Sequence, residues 1–181
     1  MKNTIVRLTQ WIMVILMLAG FGCATVVYEY ASSPVSQTIE TPIFSVSFTP
    51  KKEGVRYFSS FMLEIENKSD VPIEIDWNKT RYIHDEKNRG GFVFEGIEPT
   101  EVKEKSIPNG VILPKARFSK QIFPQVNIAM SERKDYSAGK DKPGLYGGKL
   151  PPGENSIFLA IKSHGELIGK KISVVITEPI K

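Results

Sequence analysis

Cysteine and histidine are nearly absent: the 181 residues include one cysteine, Cys23, and two histidines, His84 and His164. A single thiol excludes an internal disulfide. Stability has to come from burial, and a chain of this size can bury roughly two thirds of its unfolded surface. Neither histidine stands in a metal-ligand spacing, and no nucleophile elbow, phosphate loop or dinucleotide fingerprint occurs. The resulting expectation is no catalytic residue, no metal and no cofactor, with both histidines in solvated turns. The protein is read as a non-enzyme; a hydrolase whose residues meet only in the fold is a third alternative.

Charge of one sign is also scarce. Lys and Arg number 24 against 20 Asp and Glu, a formal net charge of +4. Without residues 1–22, which hold Lys2 and Arg7, 22 basic side chains face 20 acidic ones. A phosphate-binding domain concentrates its positive charge on one face, so this balance argues against a nucleic-acid partner.

Amphipathic helical windows and internal repeats of about 20–50 residues are missing too. What the chain has instead is alternation with a period of two. Phe44, Val46 and Phe48 alternate with Ser45 and Ser47; Phe61, Leu63 and Ile65 with Met62, Glu64 and Glu66; and Val71, Ile73, Ile75 and Trp77 with Pro72, Glu74 and Asp76. Arg81 to Ile83 and Gly91 to Phe94 are expected to form a hairpin around 84–90. Pro108-Asn109-Gly110 is a turn signal, and Phe118 to Phe123 reads as a strand between Pro114 and Pro124. Near the C-terminus, Ile157, Leu159 and Ile161 pass through a His164-Gly165 turn into Ile172, Val174 and Ile176. Asn67-Lys68-Ser69 and Asn78-Lys79-Thr80 fit a glycosylation pattern but are read as turns. Some eight short strands with Pro and Gly turns predict an all-β domain of two packed antiparallel sheets, a β-sandwich, over residues 42–181.

Ahead of it, Lys2 and Arg7 precede the apolar run Trp11 to Ala19, and small residues lead to Cys23, the layout of a secretory signal. With its terminal cysteine the segment resembles the signal of bacterial lipoproteins. Gly22 stands at the position before the cysteine, and Gly20 stands where that family usually carries Leu. The resemblance implies a signal peptide over residues 1–22 and a lipid on Cys23, which would become the N-terminus and partner the membrane. Ala24, rather than Asp, then favours the outer membrane of a Gram-negative bacterium, with the domain facing the periplasm. Each buried CH₂ contributes about 0.8 kcal/mol, so two or three acyl chains hold stably. The alternative is an uncleaved anchor, since Trp11 to Tyr28 carries no Asp, Glu, Lys or Arg. Residues 23–41 then form the lipidated cysteine and a flexible tether, rich in Ser, Thr, Gln and Pro and without clear periodicity.

The succession FMLEIENKSDVPIEIDWNKTRYI, IPNGVILPKARFSKQIFP and LPPGENSIFLAIKSHGELIGKKISVVI looks like the immunoglobulin-like sandwich domains of poorly characterised bacterial lipoproteins. It covers about Ile43 to Thr177 and implies fold and location, without any catalytic residue. One long connection, Ala129 to Gly153, gathers Arg133, Lys134, Lys140 and Lys142 around Tyr136 and Tyr146. It is a candidate binding loop for a polyanion, a glycan or an envelope protein, a solvated loop being the plainer reading. The function expected is a membrane-anchored envelope lipoprotein serving as a binding or structural module. The alternative is a signal-anchored accessory subunit of a secretion or transport assembly.

Overall fold

The structure, a computed structural model, describes residues 29–52, 56–94, 107–131 and 144–179, and only the backbone of 129–131 and 144–146. Alternation decides the main strands. β3 (Phe44–Lys51) and β4 (Ser60–Asn67) pair antiparallel with Phe48 opposite Leu63 and Val46 opposite Ile65. Their apolar sides are buried, while Ser45, Ser47 and Glu64 face outward. β10 (Arg117–Pro124) joins β4, and the short β2 (Gln37–Glu40) and β8 (Phe92–Phe94) form the two edges of this five-stranded sheet, in the order β2-β3-β4-β10-β8.

The second sheet is built on the hairpin β13 (Gly153–Ser163) and β14 (Glu166–Thr177). Its turn residues His164 and Gly165 have φ of 51° and 81°, the left-handed pair that matches strand twist in a two-residue hairpin. β1 (Ala31–Ser33) borders β14. On the other side, β5 (Ile73–Ile75) and β6 (Arg81–His84) both lie along β13, at Ile161–Lys162 and at Asn155–Phe158, and carry β9 (Gly110–Ile112) and β7 (Lys87–Asn88) respectively. A separate hairpin pairs β11 (Ile128–Ser131) with β12 (Gly144–Gly147). Among the described residues there is no α-helix, only a single 3-10 turn at Gln125–Asn127.

The two sheets share one core, a β-sandwich-like arrangement. Phe61 of β4 stacks on Phe48 at 4.3 Å between centroids and reaches Tyr82 of the other sheet at 6.4 Å, with Phe92 edge-on to both. Facing them are Ile157, Leu159, Ile161, Ile172, Val174 and Ile176, all buried. Each such side chain contributes about 1.5–3 kcal/mol on burial.

Three elements depart from the sequence expectation. Residues 31–33 and 37–40, expected within the tether, are strands, and the chain changes sheets between them at the cis Ser33–Pro34 bond. Edge strands take their bonds from the main chain and bury little, so their side chains carry a weak pattern. β6 does not pair with Gly91–Phe94. It turns back at Asp85 and Glu86, φ 43° and 63°, into β7, while β8 crosses to the other sheet beside β10. A left-handed turn without glycine or asparagine gives no composition signal. The third expected strand is shorter, since Trp77 lies beyond β5 in a turn, though it is only 3% exposed.

That turn is held by a side chain acting as backbone. Between β5 and β6 the residues Trp77 to Lys79 leave the ladder, and Asp76 N–H still donates to Ala160 O at 2.9 Å. The Thr80 hydroxyl donates to Asp76 O at 2.9 Å and accepts the Ala160 N–H at 3.2 Å, filling the gap in the ladder. Asn67 does comparable service at the far end, where it is fully buried. Its amide donates to the carbonyls of Val71, Ile112 and Leu113 at 2.8–3.1 Å, while its oxygen accepts from the Ser69 N–H and hydroxyl.

Candidate functional site

A cleft of about 420 Å³ opens where the chain passes from β7 to β8, from one sheet to the other. Gly90 and Gly91 make the crossing; an added Cβ at either would have only the Gln125 oxygen, at 3.8 or 3.7 Å, within 4 Å. Their missing side chains leave one wall as bare backbone, with Gln125 N–H donating to Gly91 O at 3.0 Å. Trp77 and Ile107 form the apolar end. Trp77 is held between Phe94, at 4.9 Å, and Phe118, at 6.2 Å, so its ring face is already covered.

Among the described residues the polar lining is three carboxamides and one guanidinium: Asn78, Asn88, Gln125 and Arg81. Asn78 donates to the Ile107 carbonyl at 3.2 Å, and Asn88 Oδ1 accepts from Gly90 N–H at 3.0 Å. Those bonds orient the two amides and leave Asn78 Oδ1 and Asn88 Nδ2 for a ligand. Arg81 Nη1 donates to Thr80 O at 2.9 Å, which fixes the guanidinium beside the Thr80 clip. No described carboxylate lines the cleft or lies within ion-pair distance of Arg81. Among the described residues the site therefore offers donors in excess and a positive charge with no counter-charge beside it.

Two other polar clusters serve the frame. On the outer face of the β13–β14 sheet, Glu154 Oε1 accepts from Lys171 at 2.9 Å and from the hydroxyls of Ser173, at 2.6 Å, and Ser156, at 3.0 Å. Hydrogen bonds from these three groups, Lys171 foremost, hold its carboxyl down at about 2. A carboxylate that acidic is a poor general base near neutral pH, so the paired serines are not activated by it. On the inner side, the Tyr82 hydroxyl donates to Asn155 Oδ1 at 2.5 Å, and burial pushes the phenol well above its ordinary value.

His84 is at the end of β6 rather than in a turn. Nδ1 donates to the Glu154 carbonyl at 3.1 Å, and Nε2 lies 3.3 Å from Asp85 Oδ2. His164 is the exposed apex of the β13–β14 turn, as expected, with Nδ1 3.1 Å from Ser163 Oγ. His84 sits opposite Asn155, nine residues from His164, so about 30 Å of strand separates the two histidines. Among the described residues no three His, Cys, Asp or Glu side chains form a group that could hold a metal.

Cys23, residues 1–22 and the first part of the expected tether lie outside the described residues, as do Arg133, Lys134, Tyr136, Lys140 and Lys142 of the candidate loop. Tyr146 falls in β12, paired with Ala129, and so belongs to a strand by its backbone. No described helix is long and apolar enough to cross a membrane. The cleft residues escaped sequence reasoning because 77–91 and Gln125 become neighbours only through the sheet crossing. The faint signal was Gly90-Gly91 followed by an apolar strand. No protein-family model, curated protein or solved structure matches the chain.

Proposed function

We propose that this protein is a membrane-anchored binding module of the cell envelope, held outside the cytoplasm by a lipid on Cys23. The binding half rests on one observation, the open polar cleft at the sheet crossing, whose donors meet no counter-charge among the described residues. Sites set on the loops and crossings of a rigid sheet scaffold are the usual place for recognition without chemistry. The anchoring half rests on the sequence, where a basic start, an apolar run and small residues end at the sole thiol. Ala24 supports the outer membrane of a Gram-negative bacterium, facing the periplasm. The immunoglobulin-like type is part of the same proposal. Its support is the sheet change at residues 33–37 and a buried tryptophan between the sheets.

A photo-crosslinking residue at Asn88, on the cleft rim, tests the binding role in intact cells. One recurrent crosslinked species from Asn88 and none from Glu64, on the outer face of the other sheet, is the expected result. Equal labelling at both positions, or none at either, contradicts it.

A signal-anchored accessory subunit is the second reading, favoured by one feature. β9 is an edge strand in which Val111 is 63% exposed, and Leu113 just beyond it is 62% exposed. A partner strand could add there, with main-chain bonds supplying affinity. Crosslinks to a single protein from Val111, with none from Asn88, would select that reading.

A further inference from the structure

We infer that the cleft between Arg81 and Gln125 binds an acidic saccharide, with the sugar carboxylate on the Arg81 guanidinium and ring hydroxyls on the carboxamides. This deepens the binding-module proposal and rests on it. No carboxylate lines the cleft among the described residues, and the Arg81 guanidinium is held there by one hydrogen bond, to the Thr80 carbonyl at 2.9 Å. The guanidinium carries five N–H donors in a planar fork suited to a carboxylate, so a cation placed this way favours an anionic ligand with paired oxygens.

The carboxamides refine the class. Gln125 has no hydrogen bond through its amide, Asn88 keeps Nδ2 free and Asn78 keeps Oδ1 free. Asn88 Nδ2 can only donate, Asn78 Oδ1 can only accept and the Gln125 amide offers one of each, and a sugar hydroxyl does both, so vicinal hydroxyls match this mixed set of donors and acceptors. An inorganic anion would leave Asn78 Oδ1 and the Gln125 oxygen facing negative charge. An acidic peptide offers carboxylates, but its main chain would need a strand edge, and the wall beside Arg81 is the Gly90-Gly91 crossing, where the Gly90 carbonyl is already taken by Tyr82 N–H at 2.8 Å. Ile107 and the edge of Trp77 close the apolar end of the cleft, where the C–H groups of a pyranose can rest. The open mouth suits a chain end or a short oligomer.

The measurement uses the membrane-extracted chain in detergent, with Trp11→Phe making Trp77 the sole tryptophan whether or not residues 1–22 are removed. The probes are an oligogalacturonate, its neutral methyl ester, and polyglutamate as a charged chain without hydroxyls. Saturable change of Trp77 emission with oligogalacturonate is expected, with affinity at least about tenfold weaker for the ester and for polyglutamate, equivalent to about 1.4 kcal/mol. Arg81→Gln should remove the preference for the acid over the ester. Gln125→Ala should weaken both sugars alike without changing their ratio, provided both variants keep the wild-type far-ultraviolet spectrum. Equal binding of polyglutamate and oligogalacturonate, or an Arg81→Gln variant that keeps the acid preference, overturns the inference. So does the absence of any response to the acidic sugar. If that absence is accompanied by a recurrent Asn88 crosslink in cells, the binding module survives and only the saccharide class falls.

Discussion

The hydroxyl of Thr80 stands where a backbone carbonyl would stand in a continuous strand, accepting the Ala160 N–H at 3.2 Å and donating to Asp76 O at 2.9 Å. Thr80 and Ala160 are fully buried, and Asp76 is nearly so. It lets the chain leave the sheet for three residues, which is how Trp77 and Asn78 reach the cleft while β5 and β6 stay on β13. Thr80→Ala would leave a buried N–H without a partner, at a cost of about 1–3 kcal/mol. Thr80→Ser keeps the hydroxyl and should cost clearly less. Urea unfolding midpoints of the two variants check this. The same ordering should appear in the affinity of any cleft ligand, because Arg81 is anchored on the adjacent Thr80 carbonyl.

Glu154 gives the fold a definite acid limit. Its carboxyl is held at about 2 in the folded protein, against an ordinary value of 4.5. A depressed carboxyl contributes stability in full above the unfolded value, and loses it as pH falls through the folded one. Stability should therefore drop progressively between pH 4.5 and about 2. The side chain is 32% exposed, so the contribution is screened to about 1 kcal/mol. Unfolding midpoints of wild type and Glu154→Gln, measured from pH 6 down to pH 2, should differ most at pH 6 and converge toward the acid end.

Gly147 docks the β11–β12 hairpin on the main sandwich. A Cβ there would come within 2.7 Å of the Ser59 carbonyl oxygen and closer still to the Phe123 ring, and a carbonyl cannot swing aside as a side-chain tip can. Gly147→Ala should destabilise by about 1–3 kcal/mol. Gly91→Ala, whose added carbon meets only the Gln125 oxygen at 3.7 Å, should unfold near the wild-type midpoint.

The parts of the fold readable from sequence are those where one side of a strand is buried and the other wet. β3, β4, β13 and β14 follow their alternation, and the His164-Gly165 turn lies where its residue types put it. What escaped reading has a common cause. β1 and β2 are edge strands held by main-chain bonds, the Asp85-Glu86 turn carries no glycine, and Thr80 replaces a backbone acceptor with a side chain. None of these leaves a hydrophobic period. Asn67 was legible as a turn residue, but its role in tying β4 to β9 depends on contacts 45 and 46 residues away. The cleft is likewise made by residues far apart in sequence, so its chemistry was invisible until the sheets were placed.

The proposed lipid anchor on Cys23 is tested most directly by the intact mass of the membrane-extracted chain. The expected product starts at Cys23, lacks residues 1–22 and carries acyl chains, with Cys23→Ala accumulating as unlipidated precursor. A mass that includes Met1 to Gly22 and no lipid would contradict the lipoprotein account.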